Sequence, residues 1–161
     1  MKKAVSIIMG SQSDLETMQE AIDLLKKFKV GFEVKVLSAH RTPRELAKYV
    51  ESAPKKGVKV FICAAGGAAA LAGVVAAHTT EPVIGVPIET KSLKGLDSLL
   101  SIVQMPAGIP VACMAIGRAG AKNAAIFALE ILGIRDASIN LKLASHKRTM
   151  AAKIKRIKLK I

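Results

Sequence analysis

Short apolar runs alternate along the chain with longer segments in which apolar residues recur every three or four positions. Such runs are typical of buried β-strands, and the three-to-four spacing is typical of helices that bury one face. The pattern predicts five strands, over residues 5–9, 32–37, 58–63, 83–86 and 111–115. It predicts a helix after each strand: one capped by Asp14 that runs to about residue 29, then 43–53, 68–79, 93–103 and 119–132.

Strands that alternate with helices predict an α/β fold in three layers, with a five-stranded parallel sheet covered by helices on both faces. Right-handed crossovers place every strand-to-helix loop at one edge of such a sheet. Four polar or glycine-rich segments therefore meet there: residues 10–14, 38–41, 65–73 and 117–123. We expect a ligand site at this edge.

A further helix is predicted after Gly133. Its apolar residues step by three, four or seven positions, as one face of a helix does: Ile139, Leu143, Met150, Ile154, Ile157 and Ile161. We divide the chain into an α/β domain over residues 1–135, expected to be catalytic, and a basic amphipathic helix over 136–161. This helix is expected to pack on a neighbouring subunit, and a nucleic acid or an anionic membrane is the alternative partner.

The net charge of +13 is concentrated at the end of the chain. No acidic residue follows Asp136, and eight Lys or Arg residues lie from Lys142 onward. The preceding residues, 1–141, hold a net charge of only +5. Aromatic residues make up 3% of the chain, which disfavours modules that stack nucleic-acid bases on aromatic side chains. We therefore expect no nucleic-acid partner for the domain.

The two cysteines, Cys63 and Cys113, lie far apart in apolar runs, which predicts buried free thiols in a reducing compartment such as the cytoplasm. Their spacing and the small number of histidines disfavour a zinc site. Two uncharged stretches, 60–80 and 98–117, are long enough to span a membrane. Glycines or prolines break both, so we predict strand, loop and helix there and no membrane span.

The loop after the second strand carries an imidazole and a guanidinium. Pro43 suits the first position of a helix and Thr42 suits its N-cap, so His40 and Arg41 fall in a short loop at the ligand-binding edge. Arginine suits a phosphate or carboxylate, and histidine suits proton transfer near neutral pH. Of the other histidines, we expect His78 to pack within a helix and His146 to be solvated.

Two more loops are suited to a ligand. Residues 10–14 offer backbone N–H groups, hydroxyls and a helix start, which attract phosphate. Asp14 either caps the helix or accepts hydrogen bonds from ribose hydroxyls. Residues 65–73 are almost all Gly and Ala, which allow a backbone to approach a ligand closely in a dry pocket, or a helix to pack closely on the sheet. This segment is neither a Walker A loop nor a dinucleotide fingerprint.

Six blocks along the chain resemble the class I N5-carboxyaminoimidazole ribonucleotide mutases of purine biosynthesis. They are MGSQSD (9–14), SAHRTP (38–43), AGGAA (65–69), GVP (85–87), GLDSLLSIVQMPAGIPV (95–111) and AIGRAGAKNAA (115–125). The resemblance covers about residues 4–132. It implies a flavodoxin-like fold, a homo-octamer, a nucleotide substrate, and an isomerisation that needs neither metal, ATP nor another cofactor.

The resemblance also implies roles for individual residues. His40 would be the general acid that aids CO2 loss and the base that removes the C4 proton. Ser11, Asp14 and Arg41 would bind the ribose phosphate with help from Ser13 and Ser38, and the loop of small residues would hold CO2. The expected substrate-binding set is Ser11, Ser13, Asp14, Ser38, Ala39, Arg41, Gly66, Gly67, Ala68, Ala69, Ala70 and Leu71.

One departure from the family pattern falls in the loop of small residues. The family's GGAAHLPG has Ala70 in place of its His and Ala72 in place of its Pro here. We expect slower catalysis with more escape of CO2. The alternative is a degenerate member that binds aminoimidazole nucleotides with weak or no turnover.

Overall fold

The computed structural model describes residues 2–158 and contains one parallel sheet with the five predicted strands. They are β1 (Val5–Met9), β2 (Phe32–Val36), β3 (Val60–Ala65), β4 (Val83–Pro87) and β5 (Ala112–Cys113). Their order across the sheet is β2-β1-β3-β4-β5, and every neighbouring pair is parallel. This is the strand order of flavodoxin-like folds, in which ligands bind where the order reverses, between β1 and β3. The predicted fold class is confirmed.

Helices cover both faces of the sheet and complete the three layers. One face carries α1 (Leu15–Phe28) and α5 (Arg118–Gly133), and the other carries α2 (Pro43–Ser52), α3 (Leu71–Ala77) and α4 (Leu96–Val103). Successive residues of β1 point to opposite faces of the sheet. Ile7 packs in the core under α1 and α5, and Ile8 packs in the core under the other three helices. Both are fully buried, and burial of such a side chain contributes about 1.5–3 kcal/mol.

The predicted C-terminal helix is present as α6 (Ala137–Lys155). Asp136 caps it, because Oδ1 accepts hydrogen bonds from the backbone N–H groups of Ser138 (2.9 Å) and Ile139 (3.2 Å). The apolar stripe starts buried, at Ile139 and Leu143, and becomes exposed toward its end, where Ile154 is 70% exposed. The last predicted residue of the stripe, Ile161, lies outside the described residues.

The two edge strands differ from the inner ones. β2 carries the charged residues Glu33 and Lys35, and β5 is two residues long. The Tyr49 hydroxyl of α2 donates to Glu33 Oε1 at 2.8 Å and lies 2.5 Å from Ser6 Oγ of β1. Lys3 Nζ pairs with Glu33 Oε2 at 3.2 Å. This polar chain ties α2 to the first two strands.

Several predicted element ends are wrong by two or three residues. α3 begins at Leu71 rather than at residue 68, since Gly67 has a φ of 69°, in the left-handed region. α4 begins at Leu96 rather than 93, because Lys94 and Gly95 adopt φ values of 53° and 88°. β3 spans residues 60–65 rather than the predicted 58–63, because Val60 pairs with Val5 at the start of β1.

Both predictions for the outlying histidines need correction. His78 ends α3 with its side chain 37% exposed, and Nδ1 lies 3.0 Å from Glu51 Oε1, so it is not packed within a helix. His146 lies edge-on to the Phe28 ring with centroids 5.7 Å apart, and its Nε2 is buried without a hydrogen-bond partner within residues 2–158. Burial, more than the nearby lysines, lowers the pKa of this imidazole.

Both cysteines are free, as predicted, although only Cys63 is fully buried and Cys113 is half-buried. Burial raises the pKa of each thiol. Among the helices of residues 2–158, none combines the length and the apolar character required to cross a membrane.

Candidate active site

A cleft of about 600 Å³ opens at the edge of the sheet where the inner strands end. It lies at the reversal of strand order between β1 and β3, as expected for this fold. Every residue of the predicted site except Gly67 lines it: Ser11, Ser13, Asp14, Ser38, Ala39, His40, Arg41, Gly66, Ala68, Ala69, Ala70 and Leu71. The three loops that the sequence singled out therefore meet in space.

The first loop is a short 3-10 turn, Gln12–Asp14, capped by Ser11. The Ser13 backbone N–H donates to Ser11 Oγ (3.3 Å), and the Ser11 backbone N–H donates to Asp14 Oδ2 (3.1 Å). This reciprocal pairing is a capping box, so the Asp14 side chain closes the turn. Asp14 occupies the predicted N-cap position of α1, but its side chain makes no capping hydrogen bond to that helix.

Asp14 is a buried carboxyl at the floor of the cleft, 6% exposed. Burial raises the pKa of the carboxyl. The opposing effects of the Ser11 N–H, the Ser13 hydroxyl and the Arg41 charge are together smaller. The first loop therefore combines hydroxyl groups with a carboxyl that holds a proton more readily than a solvated one.

The second loop is closed by Thr42. Its Oγ1 accepts from the Ser38 backbone N–H (2.9 Å) and donates to the Ser38 carbonyl (3.1 Å). Thr42 therefore occupies the predicted N-cap position of α2 without a capping hydrogen bond from its side chain. Pro43 does occupy the first position of α2. Arg41 Nη2 donates to the Gly10 carbonyl (2.9 Å), and its Nε donates to Ser38 Oγ at 3.4 Å. The guanidinium thus bridges the first and second loops, next to the exposed imidazole of His40.

The third loop places small residues against the cleft. The Ala69 N–H donates to the Gly67 carbonyl (2.8 Å), and the Ala70 N–H donates to the Ala68 carbonyl (2.7 Å). These tight bonds replace the helix predicted from residue 68. Gly67 lies behind the wall, because its N–H donates to Ser98 Oγ of α4 (3.0 Å). This position explains why Gly67 is absent from the lining.

A fourth segment completes the cleft, and it is not the one expected. Ile88 and Glu89, directly after β4, line the cleft, whereas no residue of 117–123 does so. The Gly117 N–H donates to the Pro87 carbonyl (2.9 Å), which places that segment at the same edge but outside the cleft. The signal for Glu89 was its position two residues past the strand end that carries the GVP block.

A larger concavity, about 1070 Å³, lies at the opposite edge of the sheet, near the start of β4. Its lining includes Glu51, His78 and Glu81 but no Lys or Arg. Two carboxylates in a lining without Lys or Arg disfavour an anionic ligand there, and Lys59, which pairs with Glu81 at 3.2 Å, lies outside the lining. Within residues 2–158, no group of three or more His, Cys, Asp and Glu side chains is placed to hold a metal ion.

The smaller cleft therefore has the features that chemistry on an anionic ligand requires. Its lining combines the guanidinium of Arg41 and the hydroxyls of the first two loops with the methyl groups of residues 68–70. His40 lines the same cleft and is a group able to give and take a proton. The arrangement suits an anionic substrate whose reacting part enters a small apolar space.

The comparisons with known proteins identify the family of this chain. The model of the AIR carboxylase family matches residues 4–153. The N5-carboxyaminoimidazole ribonucleotide mutase of Vibrio parahaemolyticus is 57% identical over 143 residues, 89% of this chain and 89% of the relative. The mutase of the same name from Pyrococcus abyssi is 58% identical over 146 residues, 91% of this chain and 83% of the relative.

The solved structure of Treponema denticola PurE also superimposes closely on the fold. Its TM-score is 0.86 at 29% identity, and the alignment covers 94% of each chain. The curated relatives are mutases, which are isomerases, so the resemblance stated from the sequence is confirmed. With a family model matched over most of its length and relatives more than half identical, this chain belongs to the AIR carboxylase family.

Proposed function

We propose that this chain isomerises N5-carboxyaminoimidazole ribonucleotide to 4-carboxy-5-aminoimidazole ribonucleotide in purine biosynthesis. The observation that supports this most directly is the position of His40, which is exposed and lines the same cleft as Arg41 and the alanines of residues 68–70. The mutase names of the relatives support the substrate and the reaction class. No cofactor takes part in the proposed reaction.

The substrate phosphate binds where the first two loops meet. Arg41 is held there by Gly10 and Ser38, and only some of its five N–H donors are used in those contacts. Ser11 and Ser13 add hydroxyl donors, and Asp14 accepts hydrogen bonds from the ribose. A guanidinium fixed in this way binds a phosphate with two parallel hydrogen bonds.

His40 carries the proton through both halves of the reaction. The bond between the exocyclic nitrogen and the carboxyl carbon breaks, CO2 departs, and the imidazolium gives its proton to that nitrogen. C4 of the ring then attacks CO2 to form the new C–C bond, and the neutral imidazole removes the C4 proton. The imidazole ends protonated, as it began, so the two steps sum to an isomerisation.

The small-residue loop keeps CO2 near the ring between these steps. Ala68, Ala69 and Ala70 present methyl groups to the cleft, and Gly66 lets the backbone approach the ligand. Retention makes the second step effectively intramolecular, which raises its rate by several orders of magnitude. Ala39 and Leu71 complete the binding surface.

The test is turnover without ATP or added energy source. The carbamate substrate, labelled with carbon-13 in its carboxyl group, is incubated with the chain in unlabelled bicarbonate, beside a sample without protein. The proposal requires the C4-carboxylated product to form and to keep most of the label. Decarboxylation alone, at the rate of the protein-free sample, would refute it.

A second candidate is a degenerate member that binds aminoimidazole nucleotides and turns over weakly or not at all. Ala70 favours it, because a methyl group lines the cleft where the family pattern has an imidazole. The Ala70→His variant separates the candidates when turnover and nucleotide affinity are both measured. A rise in turnover of about tenfold at unchanged affinity supports the weak member, and no change removes residue 70 from the mechanism.

We further propose that the chain works as a homo-oligomer, an octamer in the cytoplasm. The support is a stripe of α4 in which Leu96, Leu100 and Val103 are each about half exposed. The exposed end of the α6 stripe, at Ile154, adds a second apolar surface. Apolar surfaces of this kind typically cover one another between copies. Residues 136–161 then serve as the element that packs on a neighbouring subunit.

A further inference from the structure

Ser98 is a fully buried serine in α4, next to the small-residue loop. Its hydroxyl donates to the Ile88 carbonyl at 2.7 Å and accepts from the Gly67 backbone N–H at 3.0 Å. A buried hydroxyl is costly unless it is hydrogen-bonded, and here both its donor and its acceptor are used. These two hydrogen bonds therefore offset the cost of burying the hydroxyl.

The two partners of Ser98 belong to two different walls of the cleft. Ile88 lies in the segment after β4 and lines the cleft, and Gly67 lies in the loop after β3. A backbone bond from the Ile88 N–H to the Ala65 carbonyl (2.9 Å) joins the same two segments at the strand ends. Ser98 adds a second connection between these two segments, from the Ile88 carbonyl to the Gly67 N–H within the loop.

The loop has few other means of holding its position. Residues 66–70, before the start of α3, are all Gly and Ala, so this part of the loop has no long side chain that could anchor it in the core. Ser101 adds a longer contact from the exposed side of α4, with Oγ 3.3 Å from the Gly67 carbonyl. The φ of 69° at Gly67 leaves its N–H bonded to Ser98 and not within the loop.

We propose that Ser98 is a positioning residue, which holds the loop wall at the distance from His40 that keeps CO2 captive between the two steps. This inference rests on the proposed isomerisation. Ser98 lies behind the wall and touches no substrate, so its effect is on geometry. A wall that moves outward admits water and lets CO2 leave before the ring is recarboxylated, since intramolecular capture depends on short, fixed distances.

The test compares Ser98→Ala with Ser6→Ala in the full chain. Ser6 is the matched control: it is also fully buried and hydrogen-bonded, to Tyr49, but it lies in β1 away from the loop. Ser98→Ala should lower kcat about tenfold and raise the fraction of turnovers that release CO2 about fivefold, while KM changes less than about threefold. Ser6→Ala should resemble the wild type in all three quantities.

A second measurement follows the loop itself. Amide hydrogen exchange at Gly67 should become about tenfold faster in Ser98→Ala and stay unchanged in Ser6→Ala. An active wild type in which both variants release equal fractions of CO2 would overturn the role of Ser98 alone. A wild type that does not isomerise the carbamate would overturn the proposed function and this inference together.

Discussion

His40 acts as acid and then as base in the proposed reaction, so replacing it removes both steps. His40→Asn should lower kcat by a factor of about 10² to 10⁴, the range typical for loss of a general acid or base. Affinity for aminoimidazole ribonucleotide should change little, because the proposed phosphate site is Arg41 and the first loop. Steady-state turnover and calorimetric titration measure the two effects.

The control for this variant is His78→Asn. Like His40, His78 is an exposed histidine, but it lies at the opposite edge of the sheet, where it pairs with Glu51. Its replacement should leave turnover at the wild-type level. Turnover at the wild-type level in both variants would show that the proton carrier is not His40.

Asp14 makes stability depend on pH in a direction opposite to that of most carboxylates. Burial raises its pKa in the folded chain above the ordinary value of 3.8, so the folded state binds the proton more tightly than the unfolded state. The charged form therefore costs stability at neutral pH, and this cost disappears as the pH falls through the raised pKa.

Asp14→Asn should accordingly raise the free energy of unfolding at neutral pH, because it removes the buried charge. The amide oxygen of the variant still accepts a hydrogen bond from the Ser11 N–H. The difference from wild type should shrink as the pH approaches 4. Urea unfolding of both proteins at several pH values measures it. A constant difference across the range would mean that the Asp14 charge is not what costs stability.

Single residues were predictable from sequence where their chemistry and their place in the pattern coincided. His40 and Arg41 follow a strand end, so their meeting with the first loop could be foreseen. Ser98 could not be, because a buried hydroxyl inside an apolar helix has no distinctive spacing. Thr42 was assigned the wrong partner, because the same hydroxyl can cap a helix or close a loop, and only the backbone path decides between them.

At the scale of elements, α5 contains two glycines in contrasting surroundings. A methyl group at Gly120 would overlap the carbonyl oxygen of Ala115, which belongs to the backbone and cannot move aside. At Gly133 the nearest atoms are 3.6 Å away, an ordinary contact. The first glycine therefore permits close packing, and the second has room for a side chain.

Gly120→Ala should destabilise the protein by at least about 2 kcal/mol, since overpacking against backbone forces a shift. Gly133→Ala should be neutral or stabilising by up to about 1 kcal/mol, because alanine favours the helix over glycine. Thermal and urea unfolding of the two variants measure the contrast. Equal effects would mean that α5 does not approach Ala115 as described.

The interiors of the elements were predictable and their ends were less so. Each strand and helix has a repeating pattern that depends on burial, and burial is what the sequence records. The ends depend on local backbone angles, such as the left-handed residues before α4 and in the loop before α3. Glycine permits such angles without requiring them, and Lys94 adopts one with no sequence signal at all.

At the scale of the whole molecule, α6 offers a matched pair for testing assembly. Ile154 lies on the apolar stripe, and Lys155 is the next residue, on the basic face. If α6 packs on a neighbouring subunit as proposed, Ile154→Ser should lower the mass of the assembly by removing an apolar side chain from that surface, and Lys155→Ser should leave the mass unchanged. Size-exclusion chromatography with light scattering gives both masses.

The alternative partner of α6 is tested by removing residues 147–161. Loss of assembly, with no salt-dependent RNA binding by the intact chain, agrees with packing on a neighbouring subunit. An unchanged mass together with loss of RNA binding or of binding to anionic vesicles would assign the helix to a polyanion instead.

Both margins of the sheet are poor templates for an added strand. One margin is charged, through Glu33 and Lys35 of β2, and the other is the two-residue β5. Charge and shortness at a margin block strand addition from a second chain. Pairing between the sheet edges of two copies is thereby disfavoured, and so is growth of the folded chain into fibrils.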